Sequence, residues 1–243
     1  MRITKQQSVR ATESGNVLFL ILIAVALFAA LSYAVTQSSR SGGGDANSEK
    51  SLVSSSQLTQ YPAGIRTAIV RMIVSNGVSV DQLLFDDPSN FANLSTDPLK
   101  RTGVFYPTLG GGATYSTAPA EIMASGAFGT WVFSSKYQVK NVGITAADGS
   151  GNEIIAFLSG VTKALCIKMD NQLGITATAD APTGELAAAV PLTDNMDFTH
   201  QGIPGSATAT IGSTASSPFL GQPFGCMKAT DGTYIYYHVL VER

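Results

Sequence analysis

The sequence predicts an α+β protein: an N-terminal hydrophobic helix, then an exported domain with helices packed on a mainly antiparallel β-sheet. Three observations carry this. Residues 17–35 form a nineteen-residue run without a charge. Residues 48–74 and 152–173 repeat apolar side chains at helical spacing. After Gly129 several short runs are rich in β-branched and aromatic residues, the strongest being YIYYHVLV at 234–241.

The apolar run consists of Val17, Leu18, Phe19, Leu20, Ile21, Leu22, Ile23, Ala24, Val25, Ala26, Leu27, Phe28, Ala29, Ala30, Leu31, Ser32, Tyr33, Ala34 and Val35. As a helix it spans roughly 28 Å, close to the hydrocarbon thickness of a bilayer. It has no polar stripe, which argues against a helix lying on a membrane surface. Arg2, Lys5 and Arg10 precede it, and Arg40 is the only nearby charge after it. The cationic end is expected to stay in the cytoplasm and the remainder to be exported. A cleaved signal is the alternative, with Ser32 and Ala34 suiting a cut after Ala34. Signal cores usually run 7 to 15 residues, so the longer run favours a retained transmembrane helix.

The predicted organisation is a basic cytoplasmic leader (1–16), a transmembrane helix (17–40), a glycine-rich linker (41–47) and an exported α+β domain (48–243). Gly42, Gly43 and Gly44 each cost about 1 kcal/mol in a helix, so a break is expected there. In the helix 48–74, Leu52, Ile65, Ile69, Met72 and Ile73 share a face, Pro62 is expected to kink or divide it, and Asn76-Gly77 to end it. Ser79 and Gln82 fit a capping box for a short helix through Phe85, stopped by Asp86-Asp87-Pro88. Two extended segments, Val104-Phe105-Tyr106 and Ala113-Thr114-Tyr115, flank Gly110-Gly111-Gly112. That triplet reads as a flexible loop, because no Lys-Ser/Thr comes after it to make a phosphate cradle. Strands are expected at 130–134, 137–144, 175–179, 186–191, 207–211 and 234–241. The helix 152–173 carries Ile154, Ile155, Leu158, Val161, Leu165, Cys166, Met169 and Leu173 on one face, with Cys166 toward a sheet and Gly174 as terminator.

Charged residues make up 13% of the 243, about half the usual share. From Asp45 onward 11 Lys and Arg stand against 16 Asp and Glu, a net charge of −5. That sign argues against a nucleic-acid partner. Cys166 and Cys226 both lie beyond the apolar run, and an oxidising compartment would pair them, worth roughly 4 kcal/mol for a loop of that length.

Little points to catalysis. The two histidines, His200 and His238, read as solvated or structural, and no HExxH, GxSxG or metal-type Cys/His cluster occurs. Asp148, Ser150 and Asn152 have the spacing of the start of a calcium loop, but no glutamate stands at its twelfth position. A turn at Asp148-Gly149 and a helix cap at Ser150 or Asn152 explain the same residues. Asp86-Asp87 before Pro88 reads as a turn. The expectation is therefore no enzyme activity, no cofactor, no metal and no small-molecule substrate.

A short basic leader ends in Glu13-Ser14-Gly15, directly before Asn16 and the apolar run; beyond these come a second helix, a β-rich domain and a cysteine pair in the C-terminal third. This layout resembles bacterial type IV pilins and type II secretion pseudopilins. The resemblance implies cleavage after Gly15 and a mature chain beginning at Asn16. It also implies hydrophobic helices bundled into a filament core, and Cys166 and Cys226 as a pair bracing an exposed loop. Where the family usually carries Glu, five residues after the cut, this chain has Leu20. The implied setting is a single-pass protein of the bacterial inner membrane, its C-terminal domain periplasmic or on a surface filament. The implied partners are the membrane and further copies or other pilin-like subunits. Ala24, Ala26, Ala29, Ala30 and Ala34 offer small surfaces for close helix approach.

Overall fold

The computed structural model describes residues 14–94, 99–144, 151–176, 180–182, 186, 188–198 and 209–243, with the backbone alone at 14–16 and 37–52. The chain divides into two compact units, Met1–Lys50 and Ser51–Arg243. Helix α1 (Ser14–Asn76) begins in the first and ends in the second. Two further helices, α2 (Leu99–Thr102) and α3 (Lys163–Gln172), and five strands belong to the second unit. The fold is α+β.

Two expectations about α1 are corrected. Its backbone is helical through Gly42, Gly43 and Gly44, so the break expected there does not occur. An established helix gains one hydrogen bond per added residue, and long flanks offset the glycine cost. Nor does Pro62 divide the helix; Leu58 and Ile65 on either side of it are buried. The end falls at Asn76 as expected, with Gly77 at φ +66°.

The sheet contains β1 (Trp131–Val139), β2 (Glu153–Ser159), β3 (Ala209–Ile211), β4 (Phe224–Lys228) and β5 (Tyr234–Val241), in the order β3-β1-β2-β5-β4. All neighbours are antiparallel except β1 with β3. The predicted strands at 130–134 and 137–144 are one strand, β1, whose pairing with β2 shifts between Ser134 and Tyr137. The shift changes which face each parity serves. Trp131 and Phe133 belong to one buried cluster, Tyr137 and Val139 to the other.

The helix expected at 152–173 is the main correction. Its first half is β2, the central strand; only its second half is α3. Residues 154–158 are all at 0% exposure, because β2 is covered on both faces. A strand buried on both sides reads as a continuous apolar run, and such a run satisfies helical spacing as well. Gly160, at φ +86°, turns the chain between the two elements. Gly174 closes α3, at φ +78°. Asn152 is accordingly not a helix cap but directly precedes the strand.

One buried cluster holds Trp131, Phe133, Ala156, Leu158 and Tyr236 of the sheet. It also holds Leu58, Ile65, Ile69 and Met72 of α1 and Leu165, Cys166 and Met169 of α3. The second holds Val132, Ile155, Phe157, Ile235 and Tyr237 together with Val142, Ile175, Leu186, Val190 and Phe219. The strands expected at 175–179 and 186–191 are absent among the described residues there. Ile175, Leu186 and Val190 are apolar because they enter this second cluster from loops. Edge strand β4 is hard to see in the sequence because Gly225 and Lys228 dilute its pattern.

Ser79 does not build a capping box. The turn at Val80–Gln82 is a single 3-10 turn, and the Ser79 hydroxyl donates to Asp81 rather than capping a backbone N–H. The segments at 104–106 and 113–115 form no strand. Val104 N–H donates to the Leu84 carbonyl at 2.8 Å, and Ala113 N–H to the Val104 carbonyl at 3.1 Å.

The triplet Gly110-Gly111-Gly112 between them is corrected too: close packing accounts for Gly110 and Gly111, and a φ of +59° for Gly112. A Cβ at Gly111 would lie 2.4 Å from the Val104 carbonyl oxygen and 2.7 Å from the Met72 sulfur. Gly111→Ala is expected to destabilise the second unit by about 1–3 kcal/mol, read as a lower denaturant midpoint.

Candidate functional site

The sequence-predicted site residues fall into two groups. Gly15 and Asn16 lie in the first turn of α1, described as helical backbone. Residues 17–35 belong to the only described helix long and apolar enough to cross a membrane, Val17–Thr36, and none of that window is buried. Its large side chains are exposed all round, Phe28 the most at 72%. Signal sequences near an N-terminus share this length and composition. A helix apolar on every side requires a nonaqueous surrounding.

The other group is the cysteine pair. Cys166 on α3 and Cys226 on β4 form a disulfide with Cα atoms 5.2 Å apart, both fully buried. Asp170 lies one turn after Cys166 on the buried side of α3. Its Oδ1 accepts the Cys226 backbone N–H at 3.0 Å, while its Oδ2 has no partner among the described residues. Burial raises the Asp170 carboxyl to about 7. Sequence reasoning missed Asp170, although its four-residue spacing from Cys166 puts it on the apolar stripe.

Two further carboxyls are buried. Glu153 Oε2 accepts the Val139 N–H at 2.9 Å, Oε1 has no partner among the described residues, and burial raises the group to about 7. Asp86 accepts the Phe198 N–H through both oxygens, at 3.2 and 3.3 Å, and burial raises it to about 6. Its neighbour Asp87 instead caps the Pro88–Asn90 turn by accepting the Ser89 N–H at 2.8 Å. Asp87 thus serves a local turn, as expected, whereas Asp86 is buried and holds a backbone N–H from a distant part of the chain.

His238 sits in β5, its ring stacked 5.3 Å from Phe224 and its Nδ1 2.9 Å from the Tyr236 hydroxyl. Burial, aided by the positive charge of Arg66, lowers it to about 4. It is a neutral packing residue near pH 7. His200, Asp148 and Ser150 lie outside the described residues. Among the described residues no group of three or more His, Cys, Asp or Glu is arranged to hold a metal ion.

The buried carboxyls set a pH dependence. Glu153, Asp170 and Asp86 keep protons in the folded state that the unfolded chain releases above its ordinary carboxylate range. Folded-state stability from these groups is therefore fully present below about pH 4 and lost as pH rises toward 7. His238 acts oppositely between about 4 and 6.5, since only the unfolded chain then binds its proton. Three groups outweigh one, so a net loss of stability is expected between pH 4.5 and 8. Thermal unfolding across that range checks it. Glu153→Gln and Asp170→Asn should each flatten the slope by raising Tm at pH 8.

No protein-family model, curated protein or solved structure matches this chain.

Proposed function

We propose that this chain is a pilin- or pseudopilin-like structural subunit of a bacterial envelope-spanning or surface filament. Residues 17–35 anchor it in the inner membrane and assemble it with like helices. The observation that supports this most is the helix Val17–Thr36, apolar and exposed on all sides behind a basic leader and Gly15. Lipid meets its need before assembly, and copies of the same helix meet it afterwards. In this reading the later part of α1 and α3 pack on one face of the sheet, the disulfide fixes α3 to the edge strand, and the second unit supplies lateral contacts and the outward surface. The role is structural, not enzymatic, and its partners are the membrane and other pilin-like subunits.

Leu20 favours a second reading, a single-pass envelope protein that does not polymerise and whose periplasmic domain binds a partner. Electron microscopy of sheared surface material, labelled with an antibody to residues 51–243, separates the two. Labelled filaments are expected. An envelope that contains the chain but yields no labelled filament overturns the first reading in favour of the second.

A further inference from the structure

A cavity of about 320 Å³ lies between α1 and residues 116–119. Its walls include Gln57, Gln60 and Tyr61 from α1, Ser116 and Thr117 opposite, and Trp131 at the start of β1. A second cavity of about 420 Å³ shares Gln60 and Tyr61 with it. The first has the size of a small-ligand site.

None of its nine lining residues is Asp, Glu, Lys, Arg or His. A charged ligand would find no counter-charge on these walls. Two hydrogen-bond donors on its walls are unspent. Trp131 is 6% exposed, yet its indole N–H donates to no acceptor among the described residues. The Tyr61 hydroxyl accepts the Ser116 N–H at 3.1 Å, and its own proton likewise has no acceptor among the described residues. Neither atom is sealed from solvent, so water meets both donors when the cavity is empty and a ligand hydroxyl can take its place.

The exposed amides of Gln57 and Gln60 add both donors and acceptors. Gln60 Nε2 donates to Ser56 Oγ at 2.8 Å, which leaves its Oε1 free to accept. The Tyr61 and Trp131 rings, 5.3 Å apart and tilted by 40°, supply an apolar wall beside these polar groups. A ligand that suits this set is uncharged, carries several groups that both donate and accept, and has C–H surface for the rings.

We propose that this cavity binds a neutral sugar ring, free in solution or as a unit of a larger glycan. The inference stands apart from whether the chain polymerises. Trp131 is the only tryptophan in the chain, so its fluorescence reports the cavity directly. The test titrates detergent-solubilised full-length protein with glucose, galactose, N-acetylglucosamine and their neutral di- and tetrasaccharides. Concentrations run to about 10 mM, ten times a 1 mM Kd. A saturable change with at least one neutral sugar is expected, weakened about 5-fold by Gln57→Ala, which removes an exposed amide, and by Tyr61→Phe, which keeps the ring. A monosaccharide response identifies the free sugar; a response confined to oligosaccharides identifies a glycan. The proposal is overturned if no neutral sugar saturates the signal. It is equally overturned if glucosamine and glucuronic acid bind as tightly as the neutral sugars, or if neither substitution changes the affinity.

Discussion

Placing arginine at both Ala26 and Leu27 is expected to expel the chain from the membrane fraction. These positions lie at the middle of the apolar run, where an arginine costs about 2.5–3.5 kcal/mol on insertion scales and a leucine contributes about −0.5. The pair therefore shifts insertion by roughly 6 kcal/mol, enough to reverse it. Snorkelling offers little relief, because both positions are eight or more residues from either end of the run. The measurement is carbonate extraction of membranes from cells expressing each form. The native chain should remain in the pellet. The double variant should appear in the soluble fraction or be degraded, and Ala26→Leu should behave as native.

The second large effect is expected at the disulfide. Cys166 and Cys226 are separated by 60 residues, and their bond ties α3 to edge strand β4. Removing a cross-link over that loop releases conformational freedom in the unfolded chain worth about 4 kcal/mol. For a unit of this size each kcal/mol corresponds to about 2–4 °C, so replacing both cysteines by alanine should lower Tm by roughly 8–16 °C. Both sulfurs are fully buried, so the small cavities left behind add to the loss. Thermal unfolding of the native protein in strong reductant should approach the same midpoint. Asp170→Asn, which keeps an acceptor for the Cys226 N–H, should leave the oxidised protein folded.

How far these features are legible from sequence depends on how local their causes are. The helix at 17–35 is set by composition within a single run, and β5 by β-branched and aromatic content within eight residues; both are as expected. The α+β class and the pairing of the two cysteines are also legible in the chain alone. The misreading of 152–173 has a nonlocal cause. Ile154 to Leu158 are apolar throughout because β1 and β5 flank them and both faces are covered, which no neighbour in sequence announces. Gly110 and Gly111 are similar: the groups that forbid a side chain, the carbonyls of Gly103 and Lys100 at one and the Val104 carbonyl and Met72 at the other, come from other turns of the chain. The helical backbone at 42–44 shows the reverse error, a local propensity outweighed by the helix on either side.

Of the candidate sites, the apolar run and the cysteine pair were legible, because residue type and compartment logic suffice for them. The uncharged cavity beside Tyr61 and Trp131 was not. Its walls come from α1, the 116–119 segment and β1, and only the fold brings Gln57 near Trp131. Asp170 and Glu153 were equally hidden. A carboxylate in sequence reads as a surface residue until packing encloses it.

The central claim, that residues 17–35 persist as an anchoring and assembling helix freed by cleavage behind Gly15, is tested most directly by the N-terminus of the mature protein. Intact-mass and terminal-peptide analysis of the chain from its native envelope should give Asn16 as the first residue if the proposed pilin-like processing takes place. A chain beginning at Val35 would contradict the claim outright, since the helix would have been discarded as a signal. A chain retaining Met1 would contradict filament assembly and leave the helix as an anchor alone.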